Sequence, residues 1–349
     1  MKTQNIDILL RALVIRKASD LHLQAGSPPV FRVHGDLCFS DLEPLSNEDI
    51  ENYIYAVMNE SQKQKLEKGQ HIDLSYAVAG VARFRVNVFR QRGSLGAAMR
   101  VIPLNIPSME SLGLPPVMKS LALKPNGLIL LTGPTGVGKS TTLAALIDYI
   151  NSTRKGHIIT IEDPLEFLHS NRSCMVNQRE VGVDVEGFSS ALRDALREDP
   201  DVILVGEMRD LETISNAITA AETGHLVFAT LHTNSAAQTI DRIVDVFPAH
   251  QQNQIRTQLA ATLRAVIAQV LLRRKDGSGR VAAFEIMLNN MAVRNLIKEG
   301  KSNQIENAIQ TGKQDSMQTM ADSIKVLLKQ GLISLEEAML NIADPKLLS

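Results

Sequence analysis

Gly133, Pro134, Thr135, Gly136, Val137, Gly138, Lys139 and Ser140 follow the spacing G-x-x-x-x-G-K-[ST]. That spacing suits the binding of a nucleoside triphosphate. Glycines let phosphate oxygens approach the backbone and adopt φ angles that a Cβ forbids. Backbone N–H groups then cradle the anion at the positive end of the following helix. Lys139 is expected to reach the β- and γ-phosphates, and the Ser140 hydroxyl to ligate Mg²⁺. Thr141 opens the next segment and completes the expected ATP-binding set. The flanks agree with a P-loop. Leu128 to Leu131 is a short apolar run, as in a buried strand. Thr141 to Ile150 carries Leu143, Leu146, Ile147 and Ile150 on one helical face.

Hydrolysis of a triphosphate also needs a metal and an oriented water, so acidic groups are expected at neighbouring strand ends. Two segments qualify. Asp201 to Glu207 is a hydrophobic strand closing on Gly206 and Glu207, a Walker B pattern with Glu in place of the commoner Asp. Glu207 is expected to hold Mg²⁺, mainly through its water shell. Ile161 to Glu166 sets three carboxylates beyond an apolar strand. Glu166 is the candidate general base, and a surface ion-pair partner is its bland alternative. Glu162 and Asp163 are nearer the strand and are further candidates for metal positioning, and spacing does not rank them. His225 and His232 bracket the strand at 226–231. His232 has the carboxyl end, where a polar group can sense a γ-phosphate; His225 has the opposite end. Neither has the further ligands of a metal site. Arg83 and Arg85 share one face of a strand, with Arg90 and Arg100 nearby. On spacing alone they read more readily as a solvated basic face than as phosphate ligands.

Composition narrows the class. The 349 residues are 44% hydrophobic and 21% charged, with a net charge of −1, which suits a globular protein of one to three domains. The charge balance argues against a nucleic-acid coat, and with 4% aromatics and no Trp, stacking platforms are poorly supplied. No apolar run reaches membrane-spanning length and no secretory signal pattern opens the chain, so a cytoplasmic protein without membrane insertion is expected. Cys38 and Cys174 are too few for a disulfide framework or zinc site, and are expected as reduced, semi-buried thiols.

The elements that must position these groups fall into two parts. Residues 1–103 read as a small α+β module. It has helices over 6–16 and 48–58, strands at 21–23 and 30–33, and an alternating strand over 83–89 paired with 97–102. Residues 104–116 are rich in breakers and read as a linker. From 117 to 349 the chain reads as a doubly wound α/β domain of the P-loop type. Continuous apolar runs at 158–161, 202–205, 226–229 and 281–284 suit parallel strands covered on both faces. Ala249 to Arg274 places Ile255, Leu259, Leu263, Val266, Ile267 and Val270 on one stripe, which predicts a long core-facing helix without chemistry. Beyond about 287 only helices are expected, over 291–299, 303–311, 316–330 and 334–341.

The P-loop, the acidic box at 161–166, the Walker B box at 199–209 and the histidine box at 223–232 together resemble the secretion-type ATPase superfamily. Within it the chain is most similar to the type IV pilus retraction motors (PilT type). Ala18 to Leu23 and Ala292 to Ile297 match further family patterns. The resemblance implies a PAS-like amino-terminal domain, a RecA-like motor domain and a homo-oligomeric ring, a hexamer. ATP is expected between the two domains. Glu166 becomes the catalytic glutamate, Glu207 the Walker B carboxylate, and His225 and His232 the box histidines. Arg83 and Arg85, ahead of Arg100, become candidate phosphate-sensing arginines. An inner-membrane platform protein is the implied partner, at the cytoplasmic face of that membrane. Val137 and Val293 depart conservatively from the family pattern. The length and the lack of a four-cysteine zinc site favour retraction over assembly. An accessory retraction paralogue or another secretion-type traffic ATPase remains the alternative. A nucleic-acid motor, a small-molecule kinase and a non-hydrolysing scaffold are more distant rivals.

Overall fold

The computed structural model describes residues 5–33, 35–102 and 105–342. Pro103 and Leu104, where the first part was expected to hand over to the linker, lie outside the described residues.

One compact unit runs up to Asn105 and also takes in Pro164–Leu168. Its elements are α1 (Ile6–Ile15), β1 (Asp20–Gln24), β2 (Val30–Val33), β3 (Asp36–Phe39), α2 (Asn47–Ala56), α3 (Glu60–Glu67), β4 (Ile72–Val78), β5 (Ala82–Gln91) and β6 (Ser94–Ile102). They build a six-stranded antiparallel sheet in the order β3-β2-β1-β6-β5-β4. Strand β5 shows why the alternation matters. Phe84, Val86 and Val88 are fully buried with Leu9, Leu10, Ile50 and Ile54 of the helices. Arg83 and Arg85, one position out of phase, fall on the other face. Ser46 and Asp49 start α2 with a reciprocal capping box.

The second unit covers Ile106–Asp163 and the described residues from His169 onward. It comprises α4 (Val117–Ala122), β7 (Gly127–Thr132), α5 (Lys139–Thr153), β8 (Gly156–Glu162), β9 (Cys174–Glu180), α6 (Phe188–Ala195), β10 (Val202–Val205), α7 (Leu211–Glu222), β11 (Leu226–Leu231), α8 (Ala236–Asp245), α9 (Ala249–Thr262), β12 (Leu263–Arg273), β13 (Arg280–Leu288), α10 (Met291–Glu299), α11 (Ile305–Thr311), α12 (Met320–Lys329) and α13 (Leu335–Leu340). The sheet order is β13-β12-β7-β11-β10-β8-β9, parallel throughout except for β13. This is the doubly wound sheet expected of a P-loop domain. On one face Ile129, Leu131, Ile158 and Phe228 pack with Leu143, Leu146 and Ile147 of α5. On the other, Leu128, Leu130, Ile159 and Ile203 meet α6 to α9 through Ala191, Ile214, Ile240 and Leu259. Burying both faces explains the continuous apolar strands. Residues expected to be linker take part in this core, Met109 being 3% exposed within it.

Three expectations need correction. The predicted helix over 249–274 stops at Thr262, and Leu263–Arg273 is strand β12. Val266, Ile267 and Val270 are β-branched and lie in a doubly covered strand, where a continuous apolar run mimics a helical stripe. The run at 281–284 belongs to β13, which pairs with β12 antiparallel across a short turn rather than parallel. The thiols are not semi-buried: Cys38 is exposed on edge strand β3, and Cys174 is buried. Strands β3, β4 and β9 and helix α3 had no counterpart in the sequence reading.

Candidate functional site

The glycine loop joins β7 to α5 and takes the shape its sequence demands. Gly133, Gly136 and Gly138 all have positive φ, at 141°, 79° and 86°. A Cβ on Gly133 would strike the Gln269 carbonyl oxygen and the Val137 side chain. Gly138 is the N-cap of α5, so the first-turn N–H groups face the loop without a capping side chain. A tight cradle of amides at a helix start fits a phosphate chain. Lys139 is 8% exposed, and its ammonium donates to the carbonyls of Gly133 at 2.7 Å and Pro134 at 3.0 Å. Pro134, Thr135 and Gly136 are exposed, while Val137, Ser140 and Thr141 are half-buried.

The strand order brings the second layer of the site to the same sheet edge. Strands β7, β11, β10 and β8 are parallel neighbours, so their carboxyl ends align at about 4.8 Å intervals. Thr132 ends β7 and exchanges hydrogen bonds with Thr233 just past β11, including Thr233 N–H to its hydroxyl at 3.0 Å. Glu207 follows β10. Its carboxylate takes Arg209 at 2.5 Å and His232 Nε2 at 2.9 Å. Burial pushes the Glu207 carboxyl up, but the Arg209 hydrogen bond and the contacts with His232 outweigh it and hold it below the usual carboxylate value. Arg209 is raised in turn by Glu207. Gly206 makes this turn possible: its N–H donates to Ile161 O at 2.8 Å, and a Cβ there would sit 3.1 Å from that oxygen. The Walker B turn therefore leans on the end of β8, where Glu162 accepts from Thr160 at 2.7 Å.

The remaining sequence candidates are placed as follows. Glu166 is exposed between buried Leu165 and Phe167, in the segment Pro164–Leu168 that groups with the first unit. His225 stands at the opposite end of β11 from His232, where its Nδ1 lies 2.9 Å from Ala220 O and 3.2 Å from the Thr223 hydroxyl. Arg83 and Arg85 belong to the first unit. Arg83 donates to Ser75, and Arg85 holds Asp73 with a shortest contact of 2.6 Å. Arg100 pairs with buried Asp20 at 2.7 Å, directly across β1. The sequence reading passed over Thr132, Thr233 and Gln269. The two threonines sit at strand ends beside motif residues, a signal that was available; Gln269 was hidden by the helix reading of β12.

Beside Gly138 and Thr141 opens a cavity of about 460 Å³, bounded also by Leu112, Leu271 and Arg280, with room for a nucleoside next to the loop. A cavity of about 510 Å³ lies between Pro115–Val117 and α12; none of its lining residues belongs to the P-loop. Among the described residues, no helix is long and apolar enough to cross a membrane, and no cluster of His, Cys, Asp and Glu is arranged to hold a metal by itself.

The family model for type II/IV secretion system proteins matches residues 3–340. The chain is 56% identical over 321 residues to the type IV pilus retraction ATPase PilT of Pseudomonas aeruginosa, covering 92% of this chain and 93% of that protein. It is 50% identical over 330 residues to a twitching motility protein of Neisseria gonorrhoeae, covering 95% and 88%. The crystal structure of a pilus retraction motor PilT with bound ADP superposes with a TM-score of 0.91 at 52% identity, covering 98% of both chains.

Proposed function

The chain belongs to the type II/IV secretion system protein family, and from that premise we propose that it is an ATP-hydrolysing motor that drives type IV pilus retraction. The carrying observation is the pairing of a formed P-loop with a Glu207–His232 couple on the same sheet edge. The similarity to retraction ATPases over nearly the whole chain supports the biological assignment.

In this reading the amides of 136–141 bind the phosphates and Lys139 exchanges its loop carbonyls for phosphate oxygens. Ser140 would hold Mg²⁺ and Glu207 would act through its water shell, its carboxyl held below the usual value by Arg209 and His232. When bound, Mg²⁺ would supply neutralisation of phosphate charge. His232 orients Glu207 and reports on the γ-phosphate side of the site. Glu166 is the general base that takes the proton of the attacking water, and Arg83 and Arg85 sense phosphate. The assembly is a homohexamer working at the cytoplasmic face of the inner membrane against a platform protein, without nucleic acid.

Two measurements test this. Glu166→Gln should bind ATP as the wild type does but release phosphate about 10²–10⁴-fold more slowly; undiminished turnover removes Glu166 from the role. Deleting the protein in its host should leave surface pili accumulated and twitching lost. Loss of pili would point to assembly instead, and normal retraction to an accessory paralogue.

A further inference from the structure

We propose that Gln269 on β12 is a positioning residue that sets the shape of the phosphate cradle from outside the P-loop; this rests on the nucleotide-binding reading above. Gln269 is 2% exposed in a strand whose neighbours Val266, Ile267, Ala268 and Leu272 are buried and apolar. An amide is costly in such surroundings unless both of its ends are bonded. Both are. Its NH₂ donates to the Val137 carbonyl at 2.6 Å. Its oxygen accepts from the Thr142 hydroxyl at 2.8 Å, in the first turn of α5, and Thr142 is itself 2% exposed.

The loop is therefore gripped on both sides of Gly138 and Lys139 by one side chain. The backbone of the same residue adds a third constraint, because Gly133 has no room for a Cβ beside the Gln269 carbonyl. Gly138 is less closed in but still tight, with a Cβ position 3.2 Å from Gln269 Nε2. Residues 133, 137, 138 and 142 span the motif from its first glycine into its helix. Fixing them turns the loop amides toward the ligand side before ligand arrives, so binding does not have to order them. Side-chain chemistry explains the residue type. A neutral donor and acceptor on one long side chain is a property of Gln; ionised Glu lacks the donor and Met offers only a weak sulfur acceptor.

The test is nucleotide titration and steady-state hydrolysis with the full-length chain and Mg-ATP. Gln269→Met keeps the volume and removes both hydrogen bonds, leaving the Val137 carbonyl facing an apolar group. ATP affinity should fall about tenfold, with KM rising in step and kcat changing less than about threefold. Gln269→Glu should lose more, because it keeps the Thr142 bond but sets a carboxylate against a carbonyl beside a triphosphate. Thr142→Val, a milder change, should weaken binding about threefold and carries the same test if the Gln269 variants do not fold. Thermal unfolding separates positioning from mere stability. Positioning shrinks the ATP-induced rise in Tm, whereas a purely structural role lowers the ligand-free Tm and leaves that rise intact. Wild-type affinity in Gln269→Met, or an intact ATP-induced rise, overturns the proposal. Failure of the wild-type chain to bind ATP would overturn the nucleotide reading beneath it.

Discussion

The P-loop edge of the second unit and the arginine face of the first unit were both picked out as phosphate-handling regions, and they are built differently. At the P-loop the candidate ligand groups are backbone amides, fixed by three positive-φ glycines and by the start of α5. On β5 the candidate groups are long side chains engaged with their own sheet. Arg85 stands opposite Ser75 and reaches diagonally to Asp73, two residues along; Arg83 stands opposite Ala77 and reaches diagonally to Ser75. A backbone site declares itself through spacing, because glycine and helix periodicity are local. A side-chain site depends on cross-strand register, which one chain read linearly does not display.

The largest effect separates the two regions at once. Lys139→Ala should lower ATP hydrolysis at least about 10³-fold in a phosphate-release assay, because it removes the cation proposed to meet the β- and γ-phosphates. Next, Arg83→Ala and Arg85→Ala should each cost at least about 10² in turnover if they stabilise transferring phosphate. As partners in half-buried cross-strand contacts alone, they would cost no more than about 1 kcal/mol of stability and nothing in turnover. Measuring both quantities on the same variants decides whether the comparison is between two halves of one chemistry or between chemistry and a decorated sheet. A smaller effect probes Glu207. Arg209→Ala removes one of the two partners that together outweigh burial, so the Glu207 carboxyl should rise. A lowered carboxylate is ionised from its depressed pKa upward, so the variant should lose activity at higher pH than the wild type on acidification. The loss near neutral pH should stay below about tenfold, and an unmoved acid limb would detach Glu207 from the rate.

Legibility followed the same division. The loop, the parallel strands β7, β8, β10 and β11, and the carboxylates at their ends were readable because each is a local pattern with a fixed period. Strand β12 was not. Six apolar residues from Ile255 to Val270 fit a helical stripe, yet the helix ends at Thr262 and the rest is a strand buried on both faces. Periodicity alone cannot part those cases; the β-branched pair Val266 and Ile267 was the available clue. That misreading had a functional price, since it concealed the polar Gln269 within the run. Strand β9 stayed hidden for the opposite reason: Met175 to Glu180 is mostly polar, and it is a strand because it lies parallel beside β8 at the sheet edge. Strand β4, by contrast, alternates from Ile72 to Val78 and was there to be seen.

The smallest effect concerns His169 and sharpens the comparison on the side of the second unit. His169 follows the segment Pro164–Leu168, and its backbone N–H donates to the Gln178 side chain at 2.8 Å. Its ring nitrogen Nδ1 is buried without a hydrogen-bond partner. Burial, with Asp148 pulling up and Arg172 pushing down, lowers its pKa from 6.5 to about 4. The unfolded chain therefore binds more protons than the folded one between those values, and stability must rise with pH across that window. The stabilising contribution of the neutral ring is complete above pH 6.5 and is lost as pH falls toward 4. Urea unfolding at pH 7 and pH 4.5 should show the wild type losing roughly 1–3 kcal/mol more than His169→Leu over that interval. An equal loss in both proteins would mean that the ring is hydrated in solution. His169 would then be a solvated ring, closer in character to the arginine face of β5 than to the closed cradle at Gly133–Thr142.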